Sequence, residues 1–95
     1  MGISVLGFSL LFGNMEKKPP HPIGKLIIQE RMRLGLSQYA LAKRLGINTR
    51  ELAIIEKGLR EPRFSTLMKL ADALGISVGE FAEKLADEIR NPKAP

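Results

Sequence analysis

The chain contains no cysteine and one histidine among its 95 residues. Without thiols it can form no disulfide framework and offers no thiolate nucleophile, which suits a reducing compartment; the expected location is the cytoplasm. His21 stands among prolines with no second ligand near it in sequence, so it is assigned no metal or other role. A phosphate-cradling Gly-rich loop and a carboxylate cluster with ligand spacing are also missing. Catalytic residues, a metal site and a cofactor are therefore not expected, and the chain does not read as an enzyme. The apolar run of residues 3–12 falls far short of the ~20 residues that a membrane span needs. No basic segment precedes that run and no small-residue cleavage site follows it, so neither a secretory signal nor a membrane partner is expected. No window alternates like a strand and no internal repeat is visible, which leaves an all-α fold.

What the chain does have is positive charge, unevenly placed. The formal net charge is +5. Residues 25–63 hold nine Lys and Arg against four Glu, whereas residues 64–95 hold four against five Asp and Glu. The excess sits on the first three helical segments and the loop after them, as a surface facing nucleic acid would have it; ordinary solubilising charge is the plainer alternative.

Three segments follow from composition. Residues 1–22 are expected to lie outside the fold. The first fourteen, MGISVLGFSLLFGN, carry no charge, while Met15 opens an ordinary charged start, MEKKPPHP. They read as an upstream start or a non-native leader, with an anchoring or docking segment as the alternative. Residues 16–22, with three prolines, read as an extended linker. Residues 23–90 form the domain, and 91–95 a tail.

The domain reads as five helices, at about 23–34, 38–45, 49–57, 64–74 and 78–90. Gly35, Gly46, Gly58 and Gly75 each stand where a helix should stop. Ser77 with Glu80 makes a capping box for the fifth helix. The expected core is Ile23, Ile27, Leu36, Leu41, Leu45, Ile47, Leu52, Ile55, Phe64, Leu67, Leu70, Ala71, Leu74, Ile76, Val78 and Phe81.

Residues 35–58, GLSQYALAKRLGINTRELAIIEKG, are the most informative stretch. Ser37 can cap a helix whose apolar residues are Leu41, Ala42 and Leu45, and Gly46 ends it. Asn48 caps the next helix, with Glu51 three residues on completing a capping box. Leu52 and Ile55 turn that helix inward, leaving Thr49, Arg50, Ala53, Ile54 and Lys57 facing out. Two short helices joined by so tight a turn, the second with a basic, short-side-chain face, describe a helix-turn-helix.

The residues Ser37, Gln38, Leu41, Ala42, Leu45, Gly46, Ile47, Leu52, Ile55, Glu56 and Gly58, followed by Arg60 and Pro62, carry a closer likeness. In this register the chain resembles the lambda-repressor-like (Cro/CI, XRE-type) family of bacterial and phage regulators, from about Ile23 to Phe81. The resemblance implies a five-helix lambda-repressor-like DNA-binding domain, here with an extended C-terminal helix. It implies sequence-specific binding of double-stranded DNA by a transcriptional regulator, expected to be a repressor, with helix 49–57 in the major groove. It also implies that Gln38 clamps the DNA backbone or the edge of the site, and that Lys57, Arg60 and Arg63 touch phosphates. Arg31 and Glu56 stand where the family has a partly buried ion pair that locks the reading helix.

Base reading is expected from Thr49, Arg50 and Ile54. Arg50 can donate twice to guanine O6 and N7, Thr49 is short enough to sit by a base edge or phosphate, and Ile54 can rest on thymine methyls. Glu51 can accept from cytosine N4 or serve the Asn48 capping box, and the box is the expected role. Lys43 and Arg44 are expected to face solvent. Two features depart from the family: apolar Ala53 and Ile54 at usually polar outward positions, and Glu30 where a core leucine is usual. Either the first helix is rotated slightly or its outer face, with Ile28, Met32 and Leu34, meets something. These departures sustain an alternative, a protein-interaction module such as an antitoxin or coactivator in which DNA reading is weak or lost.

One helix-turn-helix reads too few base pairs for useful specificity, so a homodimer is expected. Phe81, Leu85 and Ile89 recur at i+4 beside Ala82 and Ala86. That stripe, with the turn from Gly75 to Val78, is the favoured seam.

Overall fold

The computed structural model describes residues 19–92. The described chain is all-α: α1 (Pro22–Arg33), α2 (Gln38–Leu45), α3 (Thr49–Glu56), α4 (Phe64–Leu74) and α5 (Val78–Arg90). Among the described residues no helix is long and apolar enough to cross a membrane. The expectations for residues 1–14 lie outside the described residues.

Ser and Asn side chains start three of these helices. Ser37 Oγ accepts from Ala40 N–H at 3.0 Å, Asn48 Oδ1 from Glu51 N–H at 2.7 Å, and Ser77 Oγ from Glu80 N–H at 3.0 Å. Each satisfies one of the orphan donors that a helix N-terminus leaves. The capping boxes are half-formed, because neither Glu51 nor Glu80 returns a bond to the cap residue among the described residues. The Glu51 carboxylate lies 3.8 Å from Arg60 instead.

The start of α1 corrects one expectation. His21 has a role: its Nδ1 accepts from Ile23 N–H at 3.2 Å and caps the helix. Pro22 takes the first helical position, where its missing N–H costs nothing. His21 N–H in turn donates to Gly58 O at 2.9 Å. His21, just ahead of α1, is thereby docked on the domain.

The core is drawn from all five helices: Ile23, Leu26 and Ile27 of α1, Leu41, Ala42 and Leu45 of α2, Leu52 and Ile55 of α3, Leu70, Ala71 and Leu74 of α4, and Phe81 of α5. Leu36, Ile47, Leu67 and Ile76 pack partly buried against it. Phe64 and Val78, expected inside, are 68% and 41% exposed. Both are first residues of their helices. Helical side chains lean toward the N-terminus, so a side chain at that position projects off the helix end rather than over the core.

α1 is the central strut, packing on α3, α4 and α5. Its approach to α3 depends on Gly24, which is buried. A Cβ there would collide with Glu56 O and stand 2.7 Å from Ile55 O, both backbone atoms of α3. Against α5 the contact is partly ionic. Glu30, 6% exposed, accepts from Arg33 Nε at 2.9 Å and lies 3.5 Å from Lys84 Nζ. Glu88, also buried, sits 3.6 Å from Lys25 Nζ. The charge that replaces the family's leucine is thus turned inward and paired, as a buried carboxylate must be. Met32 and Leu34 lie off this contact and are exposed.

Gly24→Ala is expected to destabilise the domain. Alanine gains about 1 kcal/mol of helix propensity over glycine, but wedging α1 from α3 costs about 1–3 kcal/mol, and the steric cost wins because the obstacle is backbone. Thermal melting of parent and variant decides it; a raised midpoint would show that the helices part freely.

Candidate nucleic-acid interface

The α2–α3 pair is held at a fixed angle by local chemistry. Gly46 adopts φ 73°, a left-handed conformation that costs a residue with a Cβ energy, and so ends α2 abruptly. Ile47 N–H then folds back to Ala42 O at 3.1 Å, and Asn48 opens α3 one residue later. α3 packs on α2 and α1.

Where the three helices meet lies one carboxylate. Glu56, with 3% of its side chain exposed, accepts from Arg31 Nε at 2.7 Å and Nη2 at 3.1 Å, a two-pronged pair. Arg31 Nη1 donates to Leu36 O at 2.9 Å, so every guanidinium nitrogen has a protein acceptor. Gln38 Nε2 donates to Glu56 Oε1 at 2.7 Å. α1, α2 and α3 are thereby tied to one point by charge-assisted bonds. The Gln38 amide, expected to face DNA, spends one N–H inward. Its second amide hydrogen and the backbone N–H groups of Gln38 and Tyr39 remain at the α2 N-terminus, where the helix dipole favours an anion.

The other residues expected to meet DNA are spread along α3 and the loop after it. Arg50, Lys57, Arg60 and Arg63 are exposed, while Thr49 and Ile54 are half-buried. Arg60 and Arg63 line one cleft with Glu51, Pro62, Ser65 and Thr66. Arg44 does not face solvent idly as expected: its Nη1 donates to Ala73 O at 3.1 Å, and Arg33 Nη2 to Leu74 O at 3.5 Å. Two cations thus meet the last carbonyls of α4, where the helix dipole is negative. No local sequence signal marks these bonds, because the partners lie 29 and 41 residues apart. Tyr39, 65% exposed beside Gln38, carries Lys43 Nζ 6.0 Å from its ring centroid.

A helix-turn-helix family model matches residues 27–81, more than half of the chain. The chain belongs to the XRE-type helix-turn-helix family of DNA-binding transcriptional regulators. Solved structures share its fold. The wild-type restriction-modification controller protein C.Esp1396I superposes with a TM-score of 0.68 at 24% identity, covering 74% of this chain and 91% of that one. The controller C.AhdI from Aeromonas hydrophila gives 0.61 at 31% identity, covering 64% and 92%. The clp gene regulator ClgR from Corynebacterium glutamicum gives 0.68 at 23%, covering 78% and 96%. No match is found among curated proteins.

In this helix-turn-helix, Arg31→Ala strands the buried Glu56 carboxylate. The expected loss is about 3 kcal/mol or more, read as a lower urea midpoint. Arg50→Ala, a change at an exposed residue, should leave the midpoint nearly unmoved, and equal losses in the two variants would refute the assignment.

Proposed function

We propose that the protein binds double-stranded DNA sequence-specifically, with α3 in the major groove, and acts as a repressor. The observation that carries this reading is the exposed basic series Arg50, Lys57, Arg60 and Arg63 on a short helix and loop whose angle the buried Glu56 holds. Repression needs only occupancy of a promoter by this face. The fold is shared with restriction-modification controller proteins and a clp gene regulator, which supports a regulatory role. Arg50, Thr49 and Ile54 would read bases, and Gln38, Lys57, Arg60 and Arg63 would hold phosphates.

The protein would act as a two-fold dimer, placing two copies of α3 about one helical turn of DNA apart, ~34 Å. The stripe favoured as its seam is largely spent inside the protomer: Phe81 is 3% exposed and Leu85 packs on the core, which leaves Ile89 at 58%. A better candidate lies beside it. Phe64 and Met68, one turn apart on α4, are 68% and 47% exposed, and Met68 shares a shallow cleft with Ile76 and Val78. Lys69 and Asp72 line the same cleft, so a two-fold axis there could pair opposite charges across the seam.

Selecting bound sequences from a random duplex library should enrich a palindrome, with affinity falling steeply as salt rises. Arg50→Ala should relax preference at one position in each half-site, at a cost of about 1–3 kcal/mol, whereas Arg60→Ala should weaken all duplexes together. Binding absent with every duplex, or flat in salt, would defeat the DNA reading in favour of a protein-interaction module. Met68→Glu with Val78→Glu should give a folded monomer in sedimentation; a dimer that survives it places the seam elsewhere.

A further inference from the structure

Resting on the DNA reading above, we infer that Glu51 is a further specificity-determining residue: its carboxylate accepts from cytosine N4 in the major groove and repels the acceptor atoms of other bases. The sequence leaves Glu51 two uses, and the capping box is the one that is not completed. Asn48 Oδ1 accepts from the Glu51 backbone N–H at 2.7 Å, which leaves the Glu51 side chain out of the cap. Among the described residues that carboxylate has no hydrogen bond. Arg60 Nη1 stands 3.8 Å from it, an ion pair beyond bonding reach. The two side chains are 39% and 55% exposed, and a pair so long and so open to water contributes little. Either group can therefore be exchanged for a partner on DNA.

Position decides which partner Glu51 takes. α3 carries two carboxylates, and the other, Glu56, is buried with its oxygens spent on Arg31 and Gln38. Glu51 is the third residue of the helix, in the half whose side chains meet base edges when a reading helix enters the groove. Arg50 precedes it, and Arg60 and Arg63 line a cleft with it. It thus stands between the group proposed to read bases and two of those proposed to hold phosphates. A carboxylate there lowers affinity for any polyanion unless a base offers it a donor. Guanine O6 and N7 and thymine O4 are acceptors; adenine N6 is a donor with the N7 acceptor beside it; cytosine N4 is a donor alone on its base. Cytosine is the base that offsets the charge, and the penalty against the others gives specificity by exclusion. Arg60 balances the carboxylate in the free protein and turns to a phosphate when cytosine replaces it.

The test selects bound sequences from the random duplex library with the full-length parent, Glu51→Ala and Glu51→Gln. The parent should enrich a cytosine at one position in each half-site, and Arg50→Ala should leave that position unchanged. Glu51→Ala should lose the cytosine preference and bind the parent's enriched duplex about tenfold more weakly, yet hold an unrelated duplex as tightly as the parent or more so. Glu51→Gln should move the preference to adenine, whose N6 and N7 suit an amide. Being close in shape to the parent, it keeps the test decisive should alanine loosen the helix. A residue that served only the cap would weaken both duplexes together and leave base preference alone. If no cytosine is enriched, if it persists in Glu51→Ala and Glu51→Gln, or if both duplexes lose affinity equally, the inference is overturned while the DNA reading stands. A parent that binds no duplex defeats the underlying reading itself.

Discussion

The buried carboxylate of Glu56 is the constraint on which the rest of this molecule depends. It closes α3, and α3 is a helix of eight residues, too short to persist alone in water. Its place is therefore set by what it packs on. Leu52 and Ile55 supply burial, but apolar contacts are non-directional and tolerate sliding. The bonds from Arg31 and Gln38 are directional, and they come from the two helices that flank α3. Gly24 allows the close approach that makes this geometry possible, because backbone of α3 stands where its side chain would be.

Polar contacts elsewhere follow the same rule of long-range ties between short helices. Lys84 and Arg33 meet Glu30, and Lys25 meets Glu88, so that α5 is registered on α1 by ions as well as by Phe81. Arg44 and Arg33 close the end of α4. Buried pairs of this kind add little net stability over apolar packing, since desolvation offsets their attraction, but breaking one is costly. Their worth here is in fixing orientation. The apolar residues Phe64, Met68 and Val78, near the starts of α4 and α5, stay substantially exposed.

The helical boundaries were largely legible in the chain. Ser37, Asn48 and Ser77 announce starts, Gly46 and Gly75 announce stops, and these signals act over three or four residues. Where the reading slipped, the cause was geometric. Phe64 and Val78 fit the apolar period but sit at helix starts, and Leu26 was passed over although it shares the buried face of α1 with Ile23 and Ile27. His21 looked idle among prolines; its cap on Ile23 N–H is local, and only its tie to Gly58 O runs to a residue far along the chain. The exposed basic residues were legible as charge, while Arg44 was not, since nothing nearby marks a carbonyl 29 residues on as its acceptor.

The sequence by itself determined the all-α class, the turn between α2 and α3, the side of α3 that is apolar and the segment that carries the positive excess. All of these depend on caps, glycine conformations and a period of 3.6, which are local properties of the chain. Only the tertiary structure decided that Gln38 turns one amide hydrogen onto Glu56, that Glu30 is buried and paired, that His21 docks on Gly58, and that Phe81 belongs to the core while Phe64 does not. Those outcomes depend on which helices meet and at what depth, and that is settled by packing among residues far apart in sequence.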